Sequence, residues 1–319
     1  MMHSMQFFSF TSDAWTTHAN RCIHWCSMTL HFINESWCLK KLLLYITQLE
    51  YSSNNVEISN AWNTTFLKYK MKLNCLSAVV LDGGGNFQKA GRSLAAGTPA
   101  LVYWCACHRL HLVTKFLFKN GPDLLLMLFK KCSNILAKFS RSFQFSYTLQ
   151  IQQAKYNVSR SLVQPISVRW NSSFNMFASI FENKEPLIAT LIEEGEDDLG
   201  LTDNEWFLLE FIVPWSEAIT KSINTLQSDT RSTIDLVYVQ LQILHNEAED
   251  LDRSKPVKNQ VNAFQIVDFK KKLGKTLKDA LNNYFPEKER IYHNSNKNYS
   301  EKKNHFLVLI FFLFGIMEN

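Results

Sequence analysis

The spacing of apolar residues changes about one third of the way along the chain. Up to residue 108, apolar residues come in short runs rich in aromatic and β-prone residues, whereas from residue 109 onward they recur every three or four positions. The first pattern is typical of strands and the second of consecutive amphipathic helices. The sequence therefore predicts an α/β segment over residues 1–108, followed by an all-α segment.

The first segment carries the elements of a sheet. Residues 22–32 and 37–46 are extended runs on either side of a short polar turn, and we predict that they form an antiparallel hairpin. A helix is predicted over residues 56–67, where apolar residues have helical spacing. Continuous apolar runs at Leu76–Leu81 and Leu101–Trp104 predict two further short strands.

The second segment reads as a series of helices. Helical spacing extends over residues 110–118, 124–139, 174–192, 232–244 and 264–284. Thr202 and Glu205 form a capping-box signature at the start of one more helix. Pro214 is expected to end or kink that helix, because proline lacks a backbone N–H and clashes with the preceding turn.

Composition and charge limit the class of protein. Of the 319 residues, 46% are hydrophobic and 20% are charged, which allows a buried core and argues against a disordered chain. The net charge of +5 is compatible with a polyanionic partner but is far from that of a basic tail. The seven cysteines are an odd number, which favours reduced thiols in the cytosol or nucleus over a fully paired secreted scaffold.

Neither end of the chain indicates insertion into a membrane. The first ten residues lack the charged and apolar regions of a signal peptide. The longest apolar run, residues 306–317, is shorter than the roughly 20 residues of a spanning helix. We expect it to be a buried helix or strand, with an unusually short tail anchor as the alternative. Residues 286–319 are interpreted as a divergent tail.

Four short motifs carry the candidate chemistry. They are residues 10–16 (FTSDAWT), 79–86 (VVLDGGGN), 105–112 (CACHRLHL) and 168–173 (VRWNSS). Taken alone, each is weak: Asp13 fits a turn or a helix cap, and Asp82 fits a plain turn or a phosphate-binding nest. Cys105, Cys107, His108 and His111 lie too close together to wrap easily around a zinc ion, so packed cysteines and a hydrogen-bonded histidine are favoured.

In their order and spacing, the four motifs resemble those of the hAT transposase superfamily, in particular the transposase-derived BED zinc-finger proteins. The resemblance extends over residues 7–285. It implies a partial RNase H-like domain with a mixed sheet over residues 1–108 and a helical insertion domain over residues 109–285. It also leads us to expect a chain truncated at both ends, with no BED finger before Asp13.

The resemblance implies a metal site. Family members bind two divalent metals through two aspartates and a distant glutamate, and Asp13 and Asp82 match the two aspartates. Two metals would stabilise the attacking and leaving oxygens of a phosphoryl transfer, and Mg²⁺ prefers such oxygen ligands. We expect the chain to end before the glutamate. Gly85, in place of the usual serine, is expected to loosen the turn after Asp82.

The other two motifs imply contacts around that site. Cys105 and His108 match a pair beside the catalytic pocket of the family. Arg169 and Trp170 match residues that contact a DNA end, where arginine can bind phosphate and tryptophan can stack on an unpaired base. Without the family, a core tryptophan and a surface arginine would be the simpler interpretation.

Three functions follow from these motifs. The first is a transposase-derived nuclear protein with a degenerate catalytic domain, which binds DNA or chromatin without cleavage and binds other transposase-like chains. The second is a fragment of an active transposase, with Mg²⁺ as cofactor if the site is retained. The third is a protein-interaction module in the nucleus or cytoplasm. No small-molecule cofactor and no membrane partner is expected.

Overall fold

The computed structural model describes residues 7–17, 23–49, 54–165, 171–227, 231, 233–255 and 263–286. These residues divide into two compact units, and the division falls between Arg109 and Leu110. The first unit contains the residues up to Arg109 together with a short segment ending at Asp235. The second contains Leu110–Gln227 and the described residues from Leu236 onward.

The first unit is built on a five-stranded mixed sheet. Its elements are β1 (Phe8–Thr17), β2 (Ile23–Ile33), β3 (Leu39–Leu49), α1 (Asn55–Lys68), β4 (Leu76–Leu81), α2 (Gly85–Ala96) and β5 (Leu101–Trp104). The strand order is β3-β2-β1-β4-β5. β1, β2 and β3 pair antiparallel, and β4 pairs parallel with both β1 and β5. The predicted hairpin, helix and two short strands are all present.

The core of this unit lies where α1 packs on the sheet. Phe10 of β1 makes edge-to-face contacts with Trp62 and Phe66 of α1, with ring centroids 5.3 and 5.7 Å apart. The Trp62 indole N–H donates to the hydroxyl of Ser12 at 3.1 Å, so even the polar atom of this buried ring is paired. α1 begins where Asn54 accepts hydrogen bonds from the backbone N–H groups of Val56 and Glu57.

The remaining elements are helices. They are α3 (Ala106–Asn120), α4 (Asp123–Arg141), α5 (Phe143–Lys155), α6 (Asn171–Glu182), α7 (Lys184–Glu193), α8 (Asp203–Leu226), α9 (Ile234–Asp252) and α10 (Ala263–Tyr284). The predicted fold class, a mixed sheet followed by a helical region, is confirmed. None of the helices in the described ranges is long and apolar enough to span a membrane.

Two helices have other bounds than the sequence pattern alone suggests. The helix predicted over residues 174–192 is two helices, because buried Asn183 separates α6 from α7 and its side chain bonds to backbone carbonyls. α8 does not end at Pro214, which lies in its interior. Buried Ile212 and Trp215 flank the proline, so packing of the apolar face outweighs the roughly 3 kcal/mol cost of proline in a helix.

Candidate functional site

Asp13 and Asp82 lie on neighbouring parallel strands. The register of β1 and β4 pairs Ser12 with Leu81, so the next residue on each strand is one of the two aspartates. Asp13 does not end its strand, because β1 continues to Thr17 by pairing with β2, where Asp13 lies opposite Ser27. Asp13 instead marks the point where the parallel pairing stops.

Asp82 is held by His108. The Nδ1 atom of His108 lies 2.7 Å from Oδ1 of Asp82, and the backbone N–H of Gly83 donates to the same oxygen. His108 lies in the first turn of α3, directly after β5, which is the strand next to β4. Two strand ends at one edge of the sheet therefore bring together residues that are 26 positions apart.

Charge and burial shift the pKa values of this group in different directions. Burial and the charge of Asp82 raise the pKa of Asp13. Burial would also raise the pKa of Asp82, but the hydrogen bond and positive charge of His108 and the Gly83 N–H together lower it. The hydrogen bond to Asp82 raises the pKa of His108. The contact therefore favours ionised Asp82 together with protonated His108, and the pKa of the neighbouring Asp13 is shifted upward.

Cys105 and Cys107 form a thiol pair next to this ion pair. The backbone N–H of Cys105 donates to the carbonyl of Leu81 at 2.8 Å, which continues the pairing of β5 with β4 by one residue. The Cys107 thiol and the backbone N–H groups of Cys107 and His108 donate to the Cys105 sulfur. Together they lower the pKa of Cys105 to about 6, against the opposing effect of burial.

Trp104 forms one wall of the site. The Arg109 guanidinium lies 5.3 Å from the centre of the Trp104 ring system, and the imidazole of His108 lies 6.4 Å from it. The indole of Trp104 packs directly over the backbone of Gly83. A Cβ atom on Gly83 would be only 2.2 Å from Nε1 of Trp104, so a residue with a side chain would clash at this position. The buried Nε1 has no acceptor among the described atoms.

One comparison with known proteins matches the part of the chain that carries Asp13 and Asp82. A family profile, the ZBED1 RNase-like domain, matches residues 11–95, a range that includes both Asp13 and Asp82. Two Zea mays proteins, Putative AC transposase and Putative AC9 transposase, are each 25% identical to the chain over 194 residues.

This chain is related to the hAT-type transposases. The alignments cover 57% of this chain, but 23% and 22% of the two maize proteins. The chain therefore spans less than a quarter of the length of these relatives. Cys105 and His108 lie beyond the range that the RNase-like profile matches.

The described residues of this site do not complete a two-metal centre. Asp13 and Asp82 supply carboxylate oxygens, which Mg²⁺ prefers. However, one oxygen of Asp82 already accepts from His108 and Gly83. Within the ranges that the structure describes, no three Asp, Glu, His or Cys side chains form a group that could hold a metal ion. We derive no metal-dependent step, and Mg²⁺ at Asp13 and Asp82 stays a prediction.

Some of the sequence-predicted site residues fall outside this arrangement. Arg169 and Trp170 lie outside the described residues, and their role at a DNA end stays a prediction. Gly85 is the first residue of α2, and a Cβ atom there would meet no neighbour; the looser turn after Asp82 stays a prediction.

Sequence reasoning missed three residues of the site, namely Gly83, Trp104 and Arg109. The signal for Trp104 was available, since it ends the strand directly before Cys105. The contact between Gly83 and Trp104 depends on the pairing of β4 with β5, which the local sequence does not specify.

Proposed function

We propose that this hAT-related chain binds DNA through its RNase-like unit and does not cut it. The observation that supports the absence of cutting is the ion pair between Asp82 and His108 at 2.7 Å. The imidazolium supplies beside Asp82 the positive charge that a metal ion would otherwise supply, and its N–H occupies a carboxylate oxygen.

The distribution of charge supports DNA as the partner. Residues 1–109 contain nine Lys and Arg residues against five Asp and Glu residues, which accounts for four of the five net positive charges. Phosphate contacts by Lys and Arg provide most of the affinity in sequence-independent DNA binding. Lys89 and Arg92 are both exposed on α2, the helix that begins three residues after Asp82. Binding to DNA would place the action of this protein in the nucleus.

A binding experiment tests the DNA contact. Fluorescence anisotropy of a labelled duplex, titrated with the full chain at several salt concentrations, gives the affinity and its salt slope. We expect a Lys89→Gln, Arg92→Gln double variant to bind more weakly and to reduce the salt slope by about 2, one for each lost phosphate contact. The matched control is Lys271→Gln, Lys275→Gln, two exposed lysines on α10. A parent chain that does not bind the duplex would favour the protein-interaction module.

A cleavage assay tests the other half of the proposal. The labelled duplex is incubated with the chain and either Mg²⁺ or Mn²⁺, then run on a denaturing gel. We expect no nicking by the parent or by an Asp13→Ala, Asp82→Ala double variant. Nicking by the parent that disappears in the variant would contradict the proposal and would favour a fragment of an active transposase.

A further inference from the structure

Lysines are concentrated at the edge of the sheet opposite Asp13 and Asp82. Two segments lie at this edge: residues 34–41, which form the turn between β2 and β3 and the start of β3, and residues 67–75, which lead from the end of α1 to β4. They contain one acidic residue, Glu35, and five of the nine basic residues found in residues 1–109. The five lysines, which together form what we call the lysine edge, are all exposed: Lys40, Lys41, Lys68, Lys70 and Lys72.

The register of the strands brings the two segments to the same edge. Lys41 on β3 pairs with His31 on β2, and His31 pairs in turn with Ser9, the second residue of β1. Phe8, the first residue of β1, pairs with Leu76, the first residue of β4. The start of β3 and the segment that leads into β4 therefore lie at the amino-terminal edge of the parallel strands β1 and β4.

A hydrogen bond joins the two segments directly. Tyr69 lies between two of the lysines, and its hydroxyl donates to the backbone carbonyl of Leu44 on β3 at 3.3 Å. Among the residues that the structure describes, four of the five lysines are in no ion pair: Lys40, Lys68, Lys70 and Lys72. The positive charge of the edge is therefore not neutralised within the described ranges, and it is complementary to an anionic partner.

Lys70 occupies a backbone position that normally selects glycine. Its φ angle is 51°, in the left-handed region that L-residues with a side chain rarely adopt. Lys70 follows the C-cap of α1, where its N–H bonds to the carbonyl of Leu67 and the N–H of Met71 bonds to the carbonyl of Phe66. This is the pattern of a Schellman motif, in which the left-handed residue is usually glycine. A lysine here adds charge at the cost of strain.

Trp37 is in the same situation in the turn between β2 and β3. Its φ angle is 58°, and its N–H donates to the carbonyl of Asn34 at 3.0 Å. The side chain of Asn34 accepts from the N–H of Cys38 at 2.8 Å, so the turn is fixed on both sides of the tryptophan. Trp37 is 70% exposed and thus contributes little to the core. Strained positions of this kind are found chiefly where the side chain has a function.

We propose that the lysine edge binds single-stranded nucleic acid, with the lysines on the phosphates and Trp37 stacked on a base. Phosphate contacts by lysine supply affinity that is independent of sequence. An exposed aromatic ring adds stacking, for which an unpaired base is the partner. An acidic peptide offers the same charge but no base to stack on, so Trp37 favours a nucleic acid. This surface is separate from Lys89 and Arg92 on α2, and the inference does not depend on the duplex contact proposed for them.

Fluorescence anisotropy of a labelled oligothymidylate, titrated with the full chain at several salt concentrations, tests the charge of the edge. We expect the Lys40→Gln, Lys72→Gln double variant, which changes one lysine in each segment, to bind more weakly. Its salt slope should fall by about 1.4, since each phosphate contact on a single strand contributes about 0.7. Lys271→Gln, Lys275→Gln on α10 is the matched control and keeps the slope of the parent. An oligouridylate titrated in parallel distinguishes DNA from RNA.

Two glycine variants separate binding from folding. Lys70→Gly removes a charge and relieves the strain at this position, so the affinity should fall while the midpoint of thermal unfolding rises. Trp37→Gly should lower the affinity about tenfold through loss of the stacked ring, without lowering the midpoint. Trp37→Phe should keep most of the affinity, because an aromatic ring remains. A purely structural role for these side chains predicts a lower midpoint in both glycine variants and no specific loss of binding.

Three results would overturn the proposal. The first is a parent chain that does not bind the oligothymidylate, and the second is a Trp37→Gly variant that binds it as the parent does. The third is polyglutamate of equal charge competing as well as unlabelled oligothymidylate, which would assign an acidic peptide to the edge. Binding of the oligothymidylate by a parent that does not bind the duplex would support the lysine edge and contradict the duplex contact of Lys89 and Arg92.

Discussion

Two clusters of polar side chains in this molecule compensate for the cost of burial in different ways. In the helical unit, the side chain of fully buried Asn183 accepts from Gln153 and donates to the carbonyls of Arg160 and Ser179, at 2.7–2.9 Å. All of these interactions join a neutral amide to neutral partners. At the edge of the sheet, Asp13 and Asp82 instead lie directly after the last residues of β1 and β4 that pair with each other. His108 contacts Asp82 there.

This difference indicates that the Asn183 cluster stabilises the fold, whereas the aspartate cluster is a candidate functional site. Neutral groups with satisfied hydrogen bonds add stability and fix the positions of the helices around them. The negative charge of one carboxylate raises the pKa of a neighbouring one and lowers stability, and proteins retain such arrangements chiefly at functional sites. We therefore expect substitutions in the first cluster to affect folding most, and substitutions in the second to affect titration most.

The largest effect is expected at Asn183. The Asn183→Ala variant leaves the groups of Gln153, Arg160 and Ser179 without their amide partner in the interior. This should lower the free energy of unfolding by about 3 kcal/mol. Urea denaturation followed by circular dichroism measures it. Asn120→Ala is the control, because the Asn120 amide is exposed and bonds only within its own helix. Equal losses of unfolding free energy in the two variants would contradict a structural role for the Asn183 cluster.

Gly83→Ala should have the next largest effect. The new methyl group would displace Trp104, at a cost of about 2 kcal/mol, as in other overpacked sites. Gly85→Ala is the matched control, since its Cβ atom meets no neighbour and alanine favours the helix that begins there. Urea midpoints of both variants, read by tryptophan fluorescence, make the comparison. A Gly83→Ala variant as stable as Gly85→Ala would show that Trp104 does not pack as described.

His108→Gln tests the ion pair through its pH dependence. The raised pKa of His108 means that its contribution is complete below 6.5 and is lost as the pH rises through the higher folded value. The lowered pKa of Asp82 means that its contribution is present above 3.8 and is lost as the pH falls through the lower folded value.

The ion pair stabilises the protein between the lowered pKa of Asp82 and the raised pKa of His108, so the variant is compared at one pH inside this range and one above it. The pair is partly exposed, so after allowance for solvent screening we expect a loss of about 0.5 kcal/mol at pH 6, and less at pH 9. Lys221→Gln, which breaks an exposed pair with Glu217, should show no such difference between the two pH values. A His108→Gln effect that is the same at pH 6 and pH 9 would contradict the ion pair.

The smallest effect has the opposite sign. Since the folded pKa of Asp13 is raised, its charged form is disfavoured, and the resulting loss of stability appears as the pH rises above 3.8. Because the carboxylate is only partly desolvated and the residue as a whole is exposed, solvent screening is strong, and Asp13→Asn should stabilise the protein by only about 0.3 kcal/mol at pH 7 and not at pH 3. Asp82→Asn should destabilise it at pH 7. Destabilisation of similar size by both variants would contradict the distinction between the two carboxylates.

The sequence predicts elements where local patterns decide them. Leu76–Leu81 and Leu101–Trp104 are found with the predicted bounds, because each is an apolar run that ends at a change of residue type. The capping box of Thr202 and Glu205 is also present, since both hydrogen bonds are local. Pro214 does not end α8, because tertiary packing overrides the local rule that proline stops a helix.

The site depends on contacts between distant residues. Asp13 and Asp82 could be named from a family pattern, but the ion pair of Asp82 with His108 requires β5 to lie beside β4. The extension of β1 beyond Asp13 depends likewise on its partner β2. No spacing along the chain encodes either pairing.

The pKa of His108 is the most direct test of the site. Nuclear magnetic resonance follows the imidazole proton of His108 against pH in the parent and in Asp82→Asn. We predict a pKa above 6.5 in the parent, and a lower value in the variant because the carboxylate that stabilises the imidazolium is gone. The same pKa in both proteins would contradict the pairing of Asp82 with His108, and with it the reason given for binding DNA without cutting it.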